Sequence, residues 1–173
     1  MNKGFVKGSV LACGIYEIFL AGKNALAAAW AGERVRLAAS YESGEAAVLR
    51  MSAYRGAAMF FICTLLVIMS AVGFYYLHKK TADVDAENES IGKKVFVFSV
   101  LAFQFLFLAV NIVKNAIQTV AIGNNLSNDM ARPVFSTLLH LTIGYSVDLL
   151  ICVALFVAVL ASFVCMVGIK FEK

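Results

Sequence analysis

Four long apolar runs alternate with polar segments along the chain, and they predict four membrane-spanning helices. The runs cover residues 4–26, 57–77, 95–123 and 134–169. A hydrocarbon core of about 30 Å is crossed by about 20 apolar residues in a helix, whereas barrel strands would alternate and be about 10 residues long. The last run exceeds the length of one crossing, so we expect its helix to project, tilt or break.

The third run carries a polar stripe. Gln104, Asn111, Asn115 and Gln118 follow one another at intervals of seven, four and three residues, which places all four amides on one helical face. Lys114 lies beside them. Amides have no water to bond in hydrocarbon, so we expect this face to turn toward other helices or a wet cavity. The alternative is that the amides hold helices together.

A few ionisable residues also fall within the predicted spans. Glu17, Lys23, Lys114 and Asp148 are expensive at that depth, and Asn24 adjoins the first lysine. Two acids and two bases could neutralise one another in a functional polar network. The alternative is that both lysines lie near the ends of their spans and extend to the membrane surface.

The first run has small residues at four-residue spacing. Gly4, Gly8 and Ala12 are followed by Ala21, Ala25 and Ala29. Such rows let helix backbones approach closely, so one interpretation is that this face is buried against another helix. The other is that alanine is simply a good helix former.

Between the first two spans, residues 27–53 are rich in alanine, arginine and glutamate. This composition predicts helix that extends out of the membrane on both sides of a turn at Ser43 and Gly44. Arg34, Arg36 and Arg50 form either a solvated face or a docking surface for a partner.

A weak internal similarity organises the chain into two halves. Residues 23–26 resemble 114–117, and residues 60–63 resemble 149–152 at nearly the same offset. The fold we predict is all-α and integral to the membrane: residues 1–173 form a single membrane domain with hairpins at 1–80 and 94–173 and a linker at 81–93. The halves are either a parallel internal repeat, with a pseudo-twofold axis normal to the membrane, or similar by chance.

Composition supports this class and excludes others. The chain is 61% hydrophobic and 15% charged, with a mean hydropathy of +0.82 and a net charge of +4. So small a charge, spread over loops, predicts no nucleic-acid partner. The four cysteines form no CxxC pair or Cys/His cluster, so we expect no metal and no cofactor. The distribution of lysines and arginines favours cytoplasmic termini.

Three function hypotheses remain open. The first is a homo-oligomeric channel or a transporter subunit, with the amides along a wet path. The second is a non-catalytic subunit that anchors or assembles a larger membrane complex. The third is a lipid-acting enzyme using His140, Asp148 or Glu17, although the sequence contains no recognisable catalytic motif. The predicted partners are the lipid bilayer and further copies of this chain or other membrane subunits.

Overall fold

The chain is helical throughout its described part. A computed structural model describes residues 2–37, 39, 43–78, 87–126 and 132–167. The helices are α1 (Asn2–Ala29), α2 (Ala31–Leu37), α3 (Ser43–His78), α4 (Glu87–Leu126) and α5 (Arg132–Val167). By length and composition, α1, α3, α4 and α5 can each cross a membrane. The predicted all-α class and the four apolar helices are therefore confirmed.

The three longest of these helices far exceed the length of one crossing. α3 and α5 have 36 residues and α4 has 40, which corresponds to about 54–60 Å at 1.5 Å per residue. α4 begins at Glu87, inside the segment predicted as a linker; residues 81–86 of that segment lie outside the described part. Acidic residues such as Glu87 and Glu89 favour a helix N-terminus, which explains the early start. α5 does not break, and Pro133 lies in its first turn, where its missing N–H costs little.

Most of the surface of each apolar helix faces outward. Only 44%, 22%, 33% and 22% of the most apolar part of α1, α3, α4 and α5 is buried within the chain. The outward side chains are large and apolar; Phe61, Ile68, Val110 and Leu150 are examples. Such a surface is unfavourable in water and suited to lipid.

The chain divides into two compact units, one of residues 10–82 and one of residues 1–9 and 83–173. We call them the α1–α3 unit and the α4–α5 unit. In the α4–α5 unit, Phe105 stacks on Phe156 with ring centroids 4.6 Å apart. Phe98, earlier in α4 than Phe105, contacts Phe163, later in α5 than Phe156, with ring centroids 5.5 Å apart. α4 and α5 therefore pack antiparallel to each other.

The small-residue row at the start of α1 is not packed within the chain. Gly4, Gly8 and Ala12 are exposed, and a Cβ atom added at either glycine would meet no other atom within 4 Å. The expectation that this part of the row is buried is wrong for the single chain. The buried face of α1 instead carries larger side chains: Val6, Val10, Cys13, Glu17 and Leu20.

Candidate functional site

The amide stripe of α4 faces inward over most of its length. Gln104 is 0% exposed, and Asn111 and Asn115 are each 3% exposed. Gln118 and Lys114 are half-buried. α4 thus presents polar side chains to the protein interior and apolar ones outward, as the spacing of the amides predicts.

Of two described contacts of the α4 amides, one is local and the other joins two helices. Nδ2 of Asn111 donates to the Phe107 carbonyl one turn earlier, at 2.9 Å. Nδ2 of Asn115 instead lies 4.0 Å from Sγ of Cys152 on α5. Asn24 on α1 repeats the local pattern, because its Nδ2 donates to the Leu20 carbonyl at 2.7 Å. Among these three described contacts, only that of Asn115 joins two helices.

A second buried polar group lies in the α1–α3 unit. The Ser70 hydroxyl on α3 donates a 2.7 Å hydrogen bond to Oε2 of Glu17 on α1. Glu17 is 1% exposed and Ser70 is 3% exposed. Gly14 allows the two helices to approach here, since a Cβ atom added to it would lie 3.3 Å from Cβ of Ser70. The structure therefore gives the costly carboxyl of α1 a specific partner.

Ser70 is not among the site residues predicted from the sequence. The residue lies in an apolar run with no charge, where a serine attracts little notice. One pattern could have found it: Ser70 follows Cys63 and Leu66 and precedes Leu77 at helical spacing, and all of them are buried. A polar side chain on that face is unusual in a span.

An apolar groove runs beside this hydrogen bond, between α1 and α3. It encloses about 230 Å³. Gly14 and Ser70 form part of its wall, and the rest is apolar; the side chains include Leu11, Ile15, Ile18, Val67 and Phe74. Because the side chains of Leu11, Ile15 and Ile18 are also exposed, the groove opens to the surroundings of the helices.

The remaining ionisable candidates differ in environment. Lys23 is exposed on α1 in the α1–α3 unit, whereas Lys114 is half-buried and Asp148 is buried in the α4–α5 unit. Neutralisation of the two acids by the two lysines stays a prediction. His140, the other candidate of α5, is exposed. Asp148 and His140 are thus in different environments.

The arginine candidates are on the surface where they are described. Nη2 of Arg36 lies 3.2 Å from Oε2 of Glu33, three residues earlier in α2, and both side chains are exposed. Arg50 is exposed on α3. The side chain of Arg34 lies outside the described part of the structure. An exposed pair such as Glu33–Arg36 contributes little to stability and is typical of a solvated face.

Within the described residues, no group of three His, Cys, Asp or Glu side chains could hold a metal ion. All four cysteines are thiols; Cys13, Cys63 and Cys152 are buried and Cys165 is half-buried. Buried free cysteines behave as small apolar side chains.

The chain matches no protein-family model, no curated protein and no solved structure. Its function must therefore be argued from its own residues.

Proposed function

We propose that this protein is a membrane transporter subunit for a small polar or ionic solute, and that the inward amide face of α4 is the surface the solute meets. The observation that carries this proposal is the burial of Gln104, Asn111 and Asn115 within a helix apolar enough to cross a membrane. Polar groups at that depth are costly to keep, so they are functional candidates.

The local hydrogen bond of Asn111 favours this function over a purely adhesive role for that amide. Asn115, by contrast, contacts Cys152 on α5. Asn and Gln that hold helices together bond across the interface. Asn111 bonds to a carbonyl of its own helix instead, so this bond adds nothing to the association of α4 with another helix.

The direction of the stripe favours a transporter over a pore on an oligomer axis. A pore between copies would be lined by residues exposed on the single chain. On α4 those residues are apolar, and they include Val110, Val113 and Ile117. A polar path that uses the amides lies instead within the protomer, and access to it requires the helices to move, as in alternating access.

The test replaces Asn111, Asn115 and Gln118 together by leucine. The matched control carries leucine at Val110, Val113 and Ile117, on the outward face of the same part of α4. Each protein is reconstituted into phosphatidylcholine vesicles, and light scattering follows their osmotic response to glycerol, urea and potassium chloride. We expect the native protein and the control to pass at least one of these solutes and the inward triple variant to pass none of them. Equal flux through both variants, with equal assembly by size-exclusion chromatography, would remove the amide face from the transport path.

A second function, a non-catalytic subunit that assembles a membrane complex, is favoured by the exposed row of Gly4, Gly8 and Ala12. Small residues on a lipid-facing helix allow close packing of another helix. Native mass spectrometry of the chain, gently extracted from its own membrane, distinguishes the functions. A stoichiometric foreign subunit that is lost in a Gly4→Leu, Gly8→Leu variant supports assembly, and a chain isolated alone or with its own copies contradicts it.

A further inference from the structure

The Glu17–Ser70 pair has an apolar counterpart in the second half of the chain. Lys23 and Asn24 match Lys114 and Asn115 at an offset of 91 residues. At the same offset, Glu17 corresponds to Leu108. Cys63 matches Cys152 at an offset of 89 residues, which makes Ser70 correspond to Val159; the paired positions are Glu17 with Leu108 and Ser70 with Val159.

Burial follows the same two offsets. Glu17 and Leu108 are both buried, as are Ser70 and Val159, and several other buried residues of the first half correspond to buried residues of the second. The agreement is partial, since the buried Tyr16 and Leu66 correspond to the half-buried Phe107 and Leu155. In α1 and α4 the matched buried residues are Val6 with Val97, Val10 with Leu101, Cys13 with Gln104, and Leu20 with Asn111. In α3 and α5 they are Cys63 with Cys152, Ser70 with Val159, and Leu77 with Met166.

The register of one helix contact agrees as well. In the α4–α5 unit, Asn115 contacts Cys152. Leu108 lies seven residues before Asn115, and Val159 lies seven residues after Cys152. Seven residues are about two turns of helix, so Leu108 and Val159 occupy the next equivalent level of an antiparallel pair. Glu17 and Ser70 stand in the same relation to Asn24 and Cys63, which are the counterparts of Asn115 and Cys152.

The matched residues of the second half indicate what packing alone requires at the level of Glu17 and Ser70. Leucine and valine at the matched level of the second half indicate that apolar side chains satisfy this packing position. A carboxyl there is costly in a membrane, and such groups characteristically bind and release protons. We infer that Glu17 is a membrane-embedded protonation site, in which one carboxyl oxygen takes up and gives back a single proton and Ser70 orients the group. The inference does not depend on transport along α4.

The site exchanges its proton with water. On uptake, hydronium gives a proton to a carboxylate oxygen and becomes water; on release, the O–H bond breaks, water takes the proton as hydronium, and the carboxylate keeps the hydrogen bond from Ser70. The other buried titratable side chains described in this unit are Cys13 and Tyr16 on α1 and Cys63 on α3. The apolar groove reaches Ser70, the hydrogen-bond partner of the carboxyl, so a hydrophobic reagent that enters the groove needs only a local movement of Ser70 to meet Glu17.

Dicyclohexylcarbodiimide tests the inference on the full chain in phosphatidylcholine vesicles. The O–H of a protonated carboxyl adds across one C=N bond, with oxygen to carbon and hydrogen to nitrogen. The acyl group then shifts to nitrogen, and the protein retains the whole reagent as an N-acylurea. In water the first adduct is instead hydrolysed, which restores the carboxyl and releases the urea. A stable adduct thus reports a carboxyl that is protonated and dry.

We expect peptide mapping to locate an adduct on Glu17, to lose it in Glu17→Gln and to retain it in Glu33→Gln, because Glu33 is exposed. Labelling should decrease as the pH rises, because the reaction needs the protonated carboxyl. A native protein without an adduct on Glu17 at acidic and neutral pH overturns the inference. A loss of solute flux in the α4 variant leaves this result unaffected, so the two proposals fail separately.

A double variant tests whether apolar residues can replace the Glu17–Ser70 pair. Glu17→Leu with Ser70→Val installs the residues of the second half. We expect it to fold with a thermal transition no lower than that of the native protein and to lack the Glu17 adduct. A double variant that is extracted unfolded would mean that the packing of α1 on α3 needs the polar pair, and it would contradict the assignment.

Discussion

Ser70 on α3 donates a 2.7 Å hydrogen bond to the buried carboxyl of Glu17 on α1. Removing this donor by Ser70→Ala takes one hydrogen bond from a buried acid. We expect a loss of about 1–3 kcal/mol in stability, as for other buried groups deprived of a partner. Thermal unfolding in detergent, followed by circular dichroism, measures the change.

Ser99→Ala is the control for this prediction. The Ser99 hydroxyl donates to the Val95 carbonyl of its own helix in an exposed position. We expect its loss to change stability by less than about 0.5 kcal/mol. Equal effects of the two substitutions would mean that the bond between α1 and α3 contributes no more than a bond within one helix.

The close approach of α1 and α3 at Gly14 leads to a second prediction. Gly14→Ala places a Cβ atom 3.3 Å from Cβ of Ser70, so α1 and α3 must separate there by a few tenths of an ångström. Gly22 lies on the same helix, and a Cβ atom added there would meet no other atom within 4 Å. We expect Gly22→Ala to gain up to about 1 kcal/mol from helix propensity, and Gly14→Ala to be less stable than Gly22→Ala by about 1–3 kcal/mol through overpacking. Equal melting temperatures would show that the helices separate at no cost.

The stacked pair Phe105–Phe156 joins α4 to α5 at a centroid distance of 4.6 Å. A double-mutant cycle with Phe105→Leu and Phe156→Leu should give a coupling of about 0.5–1.5 kcal/mol, the value typical of aromatic pairs. The control cycle uses Phe103→Leu in place of Phe105→Leu. Phe103 faces outward and is 53% exposed. Its coupling with Phe156→Leu should be within error of zero. A coupling as large in the control cycle would assign the effect to general loosening of α4.

Four crossings return the chain to its starting side, so both termini should lie on the same face of the membrane. We expect that face to be the cytoplasmic one, because lysines 3, 7, 170 and 173 lie near the ends of the first and last spans. Short epitope tags at either end should resist protease added to intact cells and be cleaved in inverted vesicles. Cleavage of one tag alone from outside would contradict four crossings.

Periodicity was sufficient to predict the faces of α4. The intervals between Gln104, Asn111 and Asn115 define one side of a helix, and amides avoid lipid, so their burial follows from the sequence. The same reasoning was insufficient for α1. Gly4 and Gly8 also define one side, but small residues permit packing without requiring it, and that side is exposed.

Contacts between distant residues were the part that could not be predicted. Glu17 and Ser70 are 53 residues apart, and no local pattern pairs them. The start of α4 was also predicted too late, at residue 95 instead of Glu87. The charges at residues 87–94 resemble a linker, but a helix that projects from a membrane can carry charge on every side without losing its backbone hydrogen bonds.

α3 is one continuous helix from Ser43 to His78, so its two ends are rigidly connected. α2 packs against α3 within the same unit, and Arg50 lies on the helix about 30 Å from Ser70 at 1.5 Å per residue. An unbroken ladder of backbone hydrogen bonds joins these two positions. A shift of α3 along its axis at Arg50 would therefore carry Ser70 with it and change the length of the Ser70–Glu17 hydrogen bond.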